Sequence, residues 1–157
     1  MCALRIAYVQ LRTDGEVVMS NTIVCISCVK SKRTSTCAAK DMYTSPLFRG
    51  MLLYAQQLRP QKIFILSAEY GLLKPDDVID PYEKTLKNMK TSERSAWAGN
   101  VLSKLCQEAD LQEDKFIFLA GAPYRESLIR HIRHYEVPME GLSFGRQLQW
   151  LTERVSV

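Results

Sequence analysis

Residues 63–86, IFILSAEYGLLKPDDVIDPYEKTL, constrain this chain most, because they open as an apolar strand and pass at once into specific polar punctuation. Ile63 to Leu66 is a short continuous apolar run, which suits a strand covered on both faces in a parallel sheet. The strand is expected to stop near Ser67 and Ala68. After it come Gly71, free to take positive φ, then Pro75 and Asp80-Pro81-Tyr82, where Pro81 biases Asp80 towards extended backbone. In open α/β sheets ligands sit beyond the carboxyl ends of strands. A long loop in that position, carrying Glu69, Tyr70, Lys74, Asp76, Asp77, Asp80 and Tyr82, is expected to form one wall of a site.

Two other stretches read as central strands. Residues 22–28, TIVCISC, are rich in β-branched and small apolar types, and residues 115–121, KFIFLAG, run into Gly121-Ala122-Pro123-Tyr124-Arg125. Helices are expected over 43–58, with Ser45 as cap and Leu47, Met51, Tyr54, Ala55 and Leu58 as the buried stripe, and over 91–109, with Ser92 as cap and Trp97, Val101 and Leu105 inward. A third helix after Gly121 would bury Leu128, Ile132 and Tyr135 and turn Arg130, His131, Arg133 and His134 outward; a fourth covers 145–155. Residues 137–142 suit a short last strand, and residues 3–12 an edge strand closed by a turn at 13–15. Met19 offers an alternative start, which would make the first 18 residues an extension. The pattern predicts one α/β domain over 1–157, with a three-layer architecture in which helices flank a mostly parallel central sheet.

Composition narrows the class. At 157 residues, 46% hydrophobic and 24% charged, the chain reads as an ordinary globular domain. Its longest apolar runs are about seven residues, against the ~20 needed to span a bilayer, and no basic-then-apolar leader opens it, so a cytoplasmic protein without a membrane partner is expected. Five cysteines in such a chain point to reduced thiols. Cys25 and Cys28 lie three apart in a predicted strand and so face opposite ways; with few other ligands nearby, no metal and no cofactor are expected. The net charge of +4 permits a nucleotide, nucleobase or nucleic-acid partner without demanding one. Oligomeric state is left open.

Three predicted strand ends supply the candidate site: Ser27-Cys28-Val29-Lys30, Ser67-Ala68-Glu69-Tyr70 and Gly121-Ala122-Pro123-Tyr124. Together with Gly71, Tyr82 and Arg125 they offer a thiol, hydroxyls, aromatic faces and cations, as a pocket for a base and a phosphate needs. Tyr70 or Tyr82 would stack the base, and Lys30, Lys32 or Arg125 would hold phosphate. Tyr43 and Ser45 sit at a helix amino end, where free N–H groups favour an anion. The bland alternative is a solvated basic loop over 29–36, with Cys28 and Ser67 only packing and capping their strands.

Leu66-Ser67-Ala68-Glu69-Tyr70-Gly71-Leu72-Leu73-Lys74-Pro75, followed by Ile79-Asp80-Pro81-Tyr82, resembles the loop signature of the YaaA family of peroxide-stress proteins. It is more similar still to small uncharacterised bacterial and phage proteins related to that family. Glu69 departs from the YaaA pattern. Ile26-Ser27-Cys28-Val29-Lys30-Ser31-Lys32 looks like the first motif of the same group, with Cys28 where YaaA has proline, and residues 141–151 look like its ending. Cys28, Lys32 and Tyr43-x-Ser45-x-x-Phe48 more loosely resemble the catalytic stretch of archaeosine synthase, which acts on a deazaguanine base. Phe48 replaces that enzyme's histidine, so its reaction is not carried over. The YaaA resemblance, over about 22–151, implies a fold like that of uracil-DNA glycosylases and a nucleotide- or nucleic-acid-directed protein, with chemistry at a glycosidic bond or modified base. Under it Cys28 is the candidate nucleophile, Lys30 or Lys32 lowers its pKa, and Asp80 or Glu69 is the candidate base. The alternative it implies is a non-catalytic DNA- or RNA-binding stress-response module, with Lys30, Lys32, Arg33, Arg125, Arg130 and Arg133 on phosphates.

Overall fold

The computed structural model describes residues 8–11 and 17–155. In chain order the strands are β1 (Tyr8–Leu11), β2 (Val17–Ser20), β3 (Thr22–Ser27), β4 (Cys37–Ala38), β5 (Lys62–Ser67), β6 (Gly71–Leu73), β7 (Val78–Ile79), β8 (Lys115–Leu119) and β9 (His134–Glu136). The helices are α1 (Ala39–Met42), α2 (Pro46–Gln57), α3 (Thr91–Glu108), α4 (Ala122–Ile129) and α5 (Phe144–Arg154), with a 3-10 turn at Leu86–Asn88.

The three apolar runs form the middle of a five-stranded sheet in the order β6-β5-β3-β8-β9. β5, β3, β8 and β9 are parallel, and β6 is antiparallel at one edge. Phe64, Ile65 and Leu66, with Val24, Cys25 and Ile26, are buried, because helices cover both faces as continuous apolar strands require. Helices α2 and α5 pack together through Tyr54 and Trp150, whose rings meet edge-on at 4.9 Å; α3 and α4 do so through Trp97 and Tyr124 at 5.8 Å. The architecture is the expected three-layer α/β arrangement. Among the described residues no helix is long and apolar enough to cross a membrane.

The structure redraws several local expectations. β1 pairs with β2 in its own hairpin rather than along the central sheet, while 1–7 and the turn at 13–15 lie outside the described residues. The chain after β5 is not one long loop: it turns at Ala68–Tyr70 and returns as β6, which Gly71 opens at φ 73. Lys90, not Ser92, occupies the cap position of α3, its N–H donating to the Glu93 carboxylate at 3.3 Å. Helix α4 ends at Ile129, so the Leu128-Ile132-Tyr135 stripe is not helical. Ile132 is buried from a turn, while Tyr135 and His134 belong to β9, whose pairing with β8 outweighs the helical spacing. His131 and His134 therefore share no helix face. The last strand is β9, and residues 137–142 are turn and coil.

Candidate functional site

Because β3, β5 and β8 are adjacent and parallel, their carboxyl ends open on one side of the molecule. A cleft of about 1380 Å³ lies there. Of the residues expected at the site, Ser27, Cys28, Lys30, Lys32, Gly121, Tyr124 and Arg125 line it. Its other walls come from residues between Glu83 and Met89 and from Val137, Met139, Gly141, Leu142, Phe144 and Gln147, none of which the sequence reading named at the site.

Cys28, buried just past β3, donates its thiol hydrogen to the Tyr124 hydroxyl at 3.4 Å. Beside it runs a chain of hydroxyls. Ser67 Oγ donates to Tyr82 at 2.8 Å, and Tyr82 shares a hydrogen bond of 2.6 Å with Tyr43. Ser67 Oγ also accepts from the Tyr70 N–H at 3.0 Å, and the Ser67 carbonyl accepts from the Trp97 indole at 2.8 Å. Tyr43, Ser67, Tyr70 and Tyr82 are thus brought together behind the cleft and are not among its lining. Tyr82 is boxed by the edges of Tyr43 and Tyr70 and by the Lys32 ammonium 4.4 Å from its ring centre. That leaves it poorly placed to stack a base.

Burial sets the electrostatics of this group. Desolvation pushes the Tyr43, Tyr82 and Tyr124 phenols well above their ordinary value, and it pulls Lys32 below its own against the nearby Cys28 and Glu83. Cys25, enclosed in the core, is pushed up to about 12 by burial alone. The two thiols of the Cys-x-x-Cys stretch therefore occupy different environments, and among the described residues no group of His, Cys, Asp or Glu could hold a metal.

The remaining expected residues have local duties. Ser45 Oγ caps α2 by accepting from Phe48 N–H at 3.1 Å. Asp80 accepts from the Thr36 hydroxyl, and its backbone N–H and carbonyl both bond the Tyr70 hydroxyl, at 3.2 and 3.3 Å; it is exposed and stands outside the cleft lining. Glu69 pairs with Lys84 at 3.7 Å. Arg125 is half-committed: one nitrogen donates to the Ala120 carbonyl at 2.8 Å and another faces Glu140 at 3.7 Å. The carboxylates that do line the cleft are Glu83 and Glu93, which the sequence reading passed over although Glu83 directly follows the Pro-Tyr motif.

Five cations, Lys30, Lys32, Lys84, Lys87 and Arg125, line the cleft against those two carboxylates. The field inside it favours an anion. Phe144, a lining residue and the first residue of α5, is 59% exposed, an uncommon position for a large apolar ring.

A family model, that of DUF6884, a family of unknown function, matches residues 23–153, a span that includes all the walls of the cleft. No curated protein matches the chain.

Proposed function

The chain belongs to the DUF6884 family, and we propose that it is a nucleotide-directed protein whose cleft takes a planar base against Phe144 and phosphate against the basic residues. The observation that carries this reading is the pairing, in one cleft at the strand ends, of an exposed aromatic with five cations and two carboxylates among the described lining residues. Met139 and Leu142 add apolar lining to Phe144, and Lys30 and Lys32 add charge. Kinship with the YaaA-related proteins is part of the same proposal and points to the same class of ligand.

Cys28 is the one thiol among the described lining residues, with Lys32 and Glu83 near enough to influence each other electrostatically. The chemistry we propose is displacement at the glycosidic carbon: the Cys28 sulfur bonds that carbon as its bond to the base breaks, the base leaves carrying the thiol's proton, and water then releases the sugar and restores the thiol. A nucleic-acid module would need its six cations on one surface. Arg33 instead donates to the Asp41 carbonyl at 2.8 Å, and Arg130 and Arg133 are not among the cleft lining, so the smaller ligand is favoured.

The test is calorimetric titration of nucleosides, mononucleotides and short oligonucleotides against wild type and Phe144→Ala. Stacking on one aromatic is worth about 1–3 kcal/mol, so the variant should bind mononucleotides roughly five- to 150-fold more weakly. Unchanged affinity would remove Phe144 as the base platform, and binding of oligonucleotides alone would replace the nucleotide reading with the nucleic-acid module. Base release by wild type and not by Cys28→Ser, followed chromatographically, tests the chemistry.

A further inference from the structure

We propose that the inner end of the cleft is a subsite for a terminal phosphate monoester, built from the Ser27 hydroxyl, the Gly121–Ala122 amino end of α4 and Lys30, so that the ligand enters phosphate first. The proposal rests on the nucleotide reading only for what lies beyond the phosphate.

Ser27 is the first observation. It lines the cleft on a residue only 9% exposed, yet among the described residues its hydroxyl has no hydrogen-bond partner. Ser45, Ser67 and Ser143 all use theirs. Among the described residues no fully buried side-chain oxygen lacks a partner, so the Ser27 hydroxyl opens on the cleft, where a ligand oxygen can accept from it.

The second observation is the open helix end beside it. The register that pairs Ile26 with Leu119 carries Ser27 alongside Ala120, directly before α4. Gly121 occupies the cap position and makes no side-chain hydrogen bond there. The Tyr124 and Arg125 N–H groups turn back to the Gly121 carbonyl at 3.0 and 3.2 Å, and Pro123 has no N–H, so the N–H of Ala122, a cleft-lining residue, is left without a backbone partner among the described residues. A Cβ placed on Gly121 would meet nothing nearer than Pro123 Cδ at 3.8 Å, so an anion has room to approach. The amino end of a helix carries partial positive charge, and Arg125 adds a full one held under Ala120. Lys30 makes no ion pair among the described residues and can close over the anion from solvent.

A hydroxyl on a residue only 9% exposed is reached by an end group rather than by a phosphate in mid-strand. Two charges on a monoester also match the helix end, Arg125 and Lys30 better than the single charge of a diester.

The experiment is an amide-resolved NMR titration of inorganic phosphate into wild type, Ser27→Ala and Gly121→Asp, with nucleosides and their 5′-monophosphates run alongside. Wild type should show saturable shifts centred on Gly121 and Ala122, and Ser27→Ala should bind about tenfold more weakly. Gly121→Asp tests the site without risking the fold, because aspartate is a favoured cap and the backbone φ of −66° suits it. Its carboxylate should abolish the phosphate shifts while leaving the melting temperature equal or higher. Absence of shifts at Gly121 and Ala122, or equal affinity in all three proteins, overturns the subsite. Nucleosides binding as tightly as their 5′-monophosphates also overturn it, and leave of the nucleotide reading only the base platform at Phe144. Phosphate binding there with no response to any nucleotide supports the subsite and removes the nucleotide reading.

Discussion

Above pH 10 the fold is expected to lose stability at about 3–4 kcal/mol per pH unit, an unusually steep alkaline limit for a domain of 157 residues. Tyr43, Tyr82 and Tyr124 have folded-state pKa values raised above the ordinary 10.0, chiefly by burial. Their contribution is fully present below pH 10, where both states hold the proton. It is lost as pH rises, because the unfolded chain releases three protons that the folded chain keeps. Each fully buried phenol contributes a slope of about 1.4 kcal/mol per unit, and half-buried Tyr82 somewhat less. Cys25 adds a milder decline from pH 9 towards 12 by the same sign. Lys32 opposes it: its folded pKa lies below 10.5, so between the two values the unfolded state binds more protons and stability rises, but this is one group against five, since burial also raises the partly exposed Tyr54. Urea denaturation between pH 8 and 11, with tyrosinate absorbance followed in parallel, measures both effects. Stability flat to pH 11, with all seven tyrosines titrating near 10 in the folded protein, would contradict the buried hydroxyl chain.

Trp97→Ala is expected to cost about 3–5 kcal/mol, the range for truncating a buried aromatic. Trp97 is 8% exposed, lies edge-on to Tyr124, and donates to the Ser67 carbonyl. It therefore supports both the residue that bonds Cys28 and the residue that bonds Tyr82. Trp97→Phe keeps most of the volume but leaves the Ser67 carbonyl unpaired, at about 1–3 kcal/mol. Chemical denaturation of the two variants measures the difference. A loss below 1 kcal/mol for the alanine variant would mean that α3 packs on the sheet without this anchor.

The central strands were readable because burial on both faces writes itself as an unbroken apolar run: Ile63 to Leu66 and Phe116 to Leu119 need no long-range information. Ser45 followed by Pro46 announced α2 by cap chemistry, and the cap is made. What escaped was short or set by partners distant in sequence. β6 and β9 have three residues each, too few to display a period, and both exist by pairing with a neighbour already in the sheet. The wall over Glu83–Met89 is irregular; Arg94, reaching from α3 to the Leu86 and Lys87 carbonyls at 2.7 and 3.1 Å, fixes it. Tyr82 was legible as a site residue but not in its role, because only the fold shows its hydroxyl between Ser67 and Tyr43. Phe144 carried no signal separable from a core residue, since at the first position of α5 only the fold decides whether the ring is covered.

Nucleotide recognition by the cleft is tested most directly by the thermal shift of wild type and a Lys30→Ala/Lys32→Ala variant against nucleosides, mononucleotides and short DNA and RNA. A ligand at a hundred times its Kd stabilises the native state by about 2.7 kcal/mol, or roughly 5–10 °C for a chain of this size. The expected result is such a rise with a mononucleotide for wild type, most of it missing in the variant. Equal shifts in the two proteins, or none with any nucleotide, would contradict a base-and-phosphate cleft at the ends of β3 and β8.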